Sequence, residues 1–308
     1  MSGTQFYKRK YKLSIQTYGG RTITLSENIQ FSFSIDKKAI RMYQFGEVTI
    51  RNLSPATETE ILKNGASVTL ECGYVDGPYG QVFKGPIRQA IRGKESDSVT
   101  YFLRLICIDG DDALNLGICN FTIGNGQTLR QVAEMVARSS STPFEIQVGQ
   151  DFQSNDRLAR SKTVYGKPGD TLRSIALDND SFFFFDDGVA NIMPLNSQPP
   201  ARAINLNAQS GMIGMPSQTD QGVKIKALIN PGIKLGGWVQ LDNKSVITNQ
   251  LQLGVPQTLL DLDGLYRIVG ILATGDTRGQ DWYYEMETVS QAGLIPAMMA
   301  SPSNSGVQ

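Results

Sequence analysis

Three observations predict a mainly β protein with a small α/β part. Apolar residues alternate with period 2 in both flanks of the chain, Gly- and Pro-containing turns separate the alternating runs, and a helical apolar period is confined to the middle. The 31 glycines among 308 residues exceed the average of about 7% and fit many tight turns.

The first β region opens at residues 12–26. Leu13, Ile15 and Thr17 alternate before Gly19-Gly20, and Ile23 and Leu25 alternate after it. A two-residue Gly-Gly loop between such runs predicts a hairpin. Ile29, Phe31, Phe33 and Ile35 then alternate with Gln30, Ser32, Ser34 and Asp36. Val48 and Ile50 repeat the pattern, as do Val68, Leu70, Cys72 and Tyr74. Each run predicts an antiparallel strand with one solvated face. Val99 to Ile108 is apolar on both faces and predicts a central strand covered on each side. Residues 1–116 therefore read as a barrel or sandwich.

Residues 117–198 change character. Thr128 and Gln131 have capping-box spacing, and Leu129, Val132, Ala133 and Val136 share one helical face. A second start follows at Gly169-Asp170-Thr171, with Leu172, Ile175 and Ala176 at helical spacing. GQTLRQVA at 126–133 and GDTLRSIA at 169–176 match at Gly, Thr, Leu, Arg and Ala, which predicts a duplicated turn–helix unit in a small α/β domain. Phe182 to Phe185, Asp186-Asp187-Gly188 and Val189 to Met193 predict a hairpin with a three-residue turn. The four phenylalanines read as a small-domain core in preference to an exposed partner patch.

Gln198-Pro199-Pro200 reads as a linker into a second β domain, residues 199–292. Val223, Ile225 and Ala227 alternate with Lys224 and Lys226, Pro231-Gly232 turns the chain, and Trp238 to Leu241 is a further strand. Leu265 to Leu272 and Trp282 to Val289 predict paired strands around Gly275-Asp276-Thr277-Arg278-Gly279. Residues 293–308, rich in Ser, Pro and Ala, predict a disordered tail.

Composition removes whole classes of function. There is no histidine, so Ser-His-Asp triads, Cys-His dyads, His-zinc sites and histidine switches are impossible within this chain. Lys+Arg and Asp+Glu are both 29, so the basic excess that holds nucleic acid by counterion release is missing. The one tight basic run, Lys8, Arg9, Lys10 and Lys12, reads as a solvated, mobile N-terminus. Cys72, Cys107 and Cys119 form no CxxC pair and are odd in number, which suits a reducing cytoplasm. No signal peptide and no membrane span are expected.

Candidate sites resolve into bland features. Gly124-Asn125-Gly126 precedes a helix, but Leu129 stands where the third glycine of GxGxxG belongs, so a plain turn is expected. Asp109, Asp111 and Asp112 crowd a strand end, yet Ala113 stands where a calcium loop needs an oxygen ligand. Asp261 and Asp263 are too generic to nominate as a glycosidase pair. No catalytic, cofactor-binding or metal-ligating residue is nominated, and no cofactor is expected. Val164 to Ala176 resembles the opening of a LysM peptidoglycan-binding module over its first half only. The chain continues into the phenylalanine hairpin where that module has a second helix, so structural reuse of a turn–helix is favoured over sugar binding.

Several stretches together resemble the baseplate hub protein of contractile bacteriophage tails. They are Val48-Thr49-Ile50-Arg51-Asn52-Leu53-Ser54, Val68-Thr69-Leu70-Glu71-Cys72-Gly73-Tyr74, and Val82-Phe83-Lys84-Gly85 with Ile87. Gly211-Met212-Ile213-Gly214 followed by Gly222-Val223, and Gly275-Asp276-Thr277-Arg278-Gly279-Gln280-Asp281-Trp282-Tyr283, resemble the second half of such hubs. The resemblance implies two tail-tube-like β-barrel domains flanking the small α/β domain, and three chains closed into a ring. A homotrimer would meet the tail tube protein or tape measure end, a central spike protein and baseplate wedge proteins, and would let DNA pass without specific binding. It implies a virion location in the tail baseplate, after assembly in the host cytoplasm. Some phage hubs carry a lysozyme domain, and no segment here reads as one. Lys244 to Gly264, rich in Leu and Val, reads either as a partner-contact loop or as a packed loop of the second barrel. A cell-wall-binding or hydrolytic tail protein, and the hub of a non-phage contractile injection system, are the rival readings.

Overall fold

The computed structural model describes residues 8–26, 29–96, 99–150, 152, 157–195, 203–219, 222–242, 246 and 264–290. The first part contains β1 (Arg9–Thr17), β2 (Thr22–Ser26), β3 (Phe31–Lys38), β4 (Gln44–Arg51), α1 (Pro55–Asn64), β5 (Gly65–Tyr74), β6 (Tyr79–Lys94) and β7 (Tyr101–Asp109). The middle part contains β8 (Cys119–Ile123), α2 (Leu129–Ser139), β9 (Glu145–Val148), β10 (Lys162–Gly166), α3 (Pro168–Leu177), β11 (Ser181–Asp186) and β12 (Val189–Pro194). The last part contains β13 (Ile204–Asn205), β14 (Ser217–Gln218), β15 (Val223–Leu228), β16 (Trp238–Gln240), β17 (Leu265–Asp276) and β18 (Trp282–Ser290).

The alternating runs form strands with the expected faces inward: Phe31, Phe33 and Ile35 of β3, Val68, Leu70 and Cys72 of β5, and Val223, Ile225 and Ala227 of β15 are all buried. β7 is central, between β4 and β6, but it is covered less evenly than its sequence predicts. Leu103, Leu105 and Cys107 are buried, while Phe102, Ile106 and Ile108 are half-buried on the other face. The Gly19-Gly20 turn also differs, because the Thr17 amide donates to the Arg21 carbonyl at 2.8 Å and makes the loop three residues long.

The flanking β regions do not form two separate barrels. Their strands join in one 13-stranded sheet, in the order β14-β15-β18-β17-β3-β4-β7-β6-β5-β1-β2 with β13 and β16 branching from β17. Among the described residues no ladder closes this sheet on itself. The two flanks meet at the β3–β17 seam, antiparallel from Lys38↔Gly270 to Ser32↔Asp276. The sheet instead folds over on itself at β6. Tyr79–Pro86 pair with β5, Ile87–Lys94 pair with β7, and register slips at Leu70/Glu71 and at Ile87/Gln89. Such bulges bend a strand and let it serve two layers. The folded-over layer packs through Tyr11 of β1, whose ring meets Phe31 edge-on at 5.4 Å and Trp282 at 6.1 Å. One continuous apolar core therefore spans both flanks.

The middle part has its own core of Val132, Val136, Leu172, Ile175, Phe183 and Phe185, among others. It is the expected α/β unit, with β9 parallel to β12 and β8 antiparallel to β10. Its two helices begin differently despite their matching sequences. Thr128 is the N-cap of α2 in a complete capping box, whereas α3 starts at Pro168 with Lys167 as N-cap, leaving Thr171 inside the helix. The cause is Pro168, whose fixed φ suits a first helical turn and pulls the start upstream. The hairpin turn is two residues, not three: Asp186 pairs with Val189, and Asp187 and Gly188 take φ of 57° and 87°. That is the Asp-Gly type I′ geometry, in which both central residues need positive φ. The Gln198-Pro199-Pro200 linker and the tail at 293–308 lie outside the described residues.

Candidate functional site

The phenylalanine hairpin builds the junction between the parts. Its alternate side chains serve two cores: Phe182 and Phe184 enter the main core, Phe183 and Phe185 the core of the middle domain. The small-domain assignment holds for two of the four rings. At the tip, Lys37 points inward from β3, with Nζ 2.5 Å from Asp186 Oδ1 and 2.9 Å from Asp187 Oδ1. Lys234, from the loop before β16, closes the set with Nζ 2.5 Å from Asp187 Oδ2 and 3.0 Å from the Gln81 carbonyl. Asp109, at the end of β7, accepts the Gly188 amide at 3.1 Å on both carboxylate oxygens. Burial works against the Lys37 ammonium, but the Asp186 and Asp187 carboxylates outweigh it and raise its pKa above that of an ordinary lysine. Burial also pushes the Asp186 carboxyl up while Lys37 draws it down. Burial pushes the Asp109 carboxyl up to about 7, opposed by the Gly188 hydrogen bond and by Lys37.

Arg267 fastens the other end of the hairpin. Its guanidinium donates to the Pro194 carbonyl at 2.6 Å and the Leu195 carbonyl at 2.9 Å, between the rings of Phe182 and Trp238. Burial pushes its pKa down to about 10.

The second feature is the solvated face of the long layer, β6-β7-β4-β3-β17-β18-β15-β14. Its charges are matched across strands: Arg104 with Glu47 at 3.2 Å, Arg51 with Glu95 at 2.7 Å, Lys38 with Glu287 at 3.7 Å, and Lys226 with Glu285 at 3.5 Å. An open groove of about 390 Å³ runs along it, lined by Ser34, Asp36, Lys224, Leu272 and Glu285 among others. The third feature is a pair of unlike edges. Among the described residues, no strand pairs with the outer edge of β6 beyond Ile87, where Gln89, Ile91 and Arg92 are exposed. At the other end β15 is covered only by the two-residue β14 and by the Met212↔Ala227 bridge, next to exposed Met215.

Of the three carboxylates read as a solvated turn, Asp109 is instead buried. Gly124-Asn125-Gly126 is a turn in which the Gly126 amide donates to the Leu158 carbonyl at 2.8 Å and its carbonyl accepts from Arg157. Asp111 and Asp112 both pair with Arg88, away from Asp109, and no metal-binding group of His, Cys, Asp or Glu occurs among the described residues. The three cysteines are buried and free. No helix among the described residues is long and apolar enough to cross a membrane. Asp261, Asp263 and nearly all of Lys244 to Gly264 lie outside the described residues.

Arg9, Lys10 and Lys12 of the basic run lie in β1 and not in a mobile end. Arg9 donates to the carbonyls of Asp276, Gly279 and Gln280 and lies over Trp282, Lys10 sits over the Tyr79 ring, and Lys12 pairs with Glu71. The partners of Arg9 lie about 270 residues along the chain, so no local pattern announces them. The inward lysine on β3 was equally silent, although Lys37 does continue the period of Phe31, Phe33 and Ile35.

Comparisons place this architecture among known tail proteins. No curated protein matches the chain. Among solved structures it resembles the prophage MuSo2 43 kDa tail protein from Shewanella oneidensis, with a TM-score of 0.58 and 11% identity over 92% of this chain and 99% of that one. A tail protein from Neisseria meningitidis MC58 matches with a TM-score of 0.56 and 13% identity over 91% and 96% of the two chains. The E. coli c3393 protein, a component of the type VI secretion system, matches with a TM-score of 0.53 and 11% identity over 92% and 78%. At these identities the likeness is one of fold. The family model described as baseplate hub gp41 matches residues 12–251, most of the chain. The chain thus belongs to the baseplate hub gp41 family, a structural family of phage tail baseplates.

Proposed function

We propose that this chain is the non-catalytic hub of a contractile phage tail, three copies of which close into a ring that joins tail tube, central spike and baseplate wedges. The observation that carries the reading is the single sheet running through both flanks, whose long layer has a charge-balanced solvated face and, among the described residues, unlike open edges at β6 and β15. A heterologous contact between unlike edges, repeated by rotation, closes a ring and hides the strand edges that a lone copy exposes. The matched charges suit a conduit that DNA crosses without sticking. In this reading each flank, residues 1–116 and 199–292, serves as one tube-type position, so three chains supply six. The middle domain, 117–198, lies outside the ring. The virion baseplate is the site of action, after assembly in a reducing cytoplasm.

Native mass spectrometry with image averaging, on the chain together with its tail neighbours, tests this. A threefold ring with a central hole is expected, and a twofold dimer or a ring of six full chains would overturn it. Ile91→Lys, which puts a charge on the open β6 edge, should abolish the ring while leaving the chain folded. The rival cell-wall reading has less support. α3 runs into a buried strand of the junction, where a LysM module has a second helix.

A further inference from the structure

We propose that the tip of the β11–β12 hairpin is a proton-operated latch, which holds the middle domain on the sheet while the Asp109 carboxyl carries a proton and loosens when that proton leaves to solvent. The geometry joins three stretches of chain at one buried point. Lys37 comes from the first flank, Asp186, Asp187 and Gly188 from the middle domain, and Lys234 from the second flank. The charges of Lys37, Lys234, Asp186 and Asp187 cancel, and each is in an ion pair within 2.9 Å. Asp109 is the fifth group, 1% exposed, and its carboxylate accepts the Gly188 amide rather than meeting a cation.

The remaining groups around the tip leave it unmatched. On β6, Lys84 approaches Gly188 but is exposed, Gln81 is neutral, and Arg88 is taken up by Asp111 and Asp112. On β18, burial holds the Tyr284 hydroxyl well above its ordinary pKa, so it stays neutral. On β3, Lys38 faces the other side of the sheet and pairs with Glu287. An ionised Asp109 would therefore add a net negative charge facing Asp186 and Asp187, in a site where water is excluded. A protonated Asp109 leaves the cluster balanced.

The direction of the pH effect follows from linkage. A carboxyl raised in the folded state contributes stability that is fully present below its unfolded pKa and lost as pH rises through the folded value. With a folded value of about 7, the folded-to-unfolded ratio should fall about 30-fold from pH 5.5 to 8.5 through this group alone. Asp109→Asn keeps an acceptor for Gly188 and removes the titration. Urea unfolding of both proteins across that range should show the wild type losing about 30-fold relative to Asp109→Asn. Parallel profiles would overturn the proposal. A second readout needs no variant. Hydrogen exchange at the Phe185 and Gly188 amides, corrected for the intrinsic pH dependence, should lose at least tenfold in protection by pH 8.5. Unchanged protection at the tip would also overturn it. Both measurements use the isolated chain, so their outcome is independent of ring formation.

Discussion

Replacing Gly275 by alanine tests the seam on which the continuous sheet depends. Gly275 of β17 lies opposite Phe33 of β3 and, on its other side, opposite Trp282 of β18. A Cβ at this position would stand 2.3 Å from Phe33 Cζ and 2.5 Å from Cε1. The ring has nowhere to retreat. Phe33 is 3% exposed, edge-on to Trp282 at 5.6 Å and tilted on Phe31 at 6.4 Å. The backbone of Gly275 is not in the left-handed region, so the cost is steric overlap and not strain. Elsewhere in a strand, Gly→Ala would gain roughly 0.5–1 kcal/mol from the unfolded chain. Overpacking a filled core costs about 1–3 kcal/mol. The net expectation is a loss of about 1–2 kcal/mol, read as a drop of roughly 2–3 °C in Tm by circular dichroism. Phe33→Ala alone should cost about 3–5 kcal/mol, because it empties the site. In that background Gly275→Ala should cost nothing or stabilise, giving a coupling of about 1–3 kcal/mol in the double-mutant cycle. A Gly275→Ala protein as stable as the parent, or strictly additive variants, would refute the packing described for the seam.

Three further outcomes are expected. Arg267→Ala should destabilise by about 3 kcal/mol, since it leaves the Pro194 and Leu195 carbonyls without their donor; Arg267→Lys, which keeps charge but loses the planar fork, should recover only part of it in the same denaturation assay. The isolated chain should bind double-stranded DNA weakly at physiological salt, given its cross-strand charge matching, and a submicromolar affinity with a steep salt slope by fluorescence anisotropy would contradict this. Incubation with a peptidoglycan suspension should cause no loss of turbidity, and clearing that one Asp→Asn or Glu→Gln change abolishes would show a carboxylate site that the sequence does not reveal.

Local signals were read most reliably where they repeat. The alternation in 29–35, 68–74 and 223–227 identified buried faces, because side chains on a strand point alternately to its two sides whatever lies opposite. The α2 start was legible because a capping box is closed within four residues. α1 was missed although its signal was present: Ser54 caps the helix by accepting the Thr57 amide at 3.2 Å, and Pro55 stands at the first turn. Its weak amphipathicity, with Ile61 as its one fully buried residue, concealed it.

Strand character, the helical middle, the exclusion of histidine chemistry and the balance of charge were properties of the sequence by itself. Each depends on composition or on neighbours within a few residues. The joining of two flanks into one sheet, the folding-over at β6, the splitting of four phenylalanines between two cores and the meeting of Lys37, Asp109, Asp187 and Lys234 were decided only by tertiary structure. Period-2 patterning says which face of a strand is buried but not which strand lies beside it. That choice rests on contacts such as Phe33 with Gly275 and Arg9 with Gly279, whose partners are separated by most of the chain and exist only once both flanks have folded.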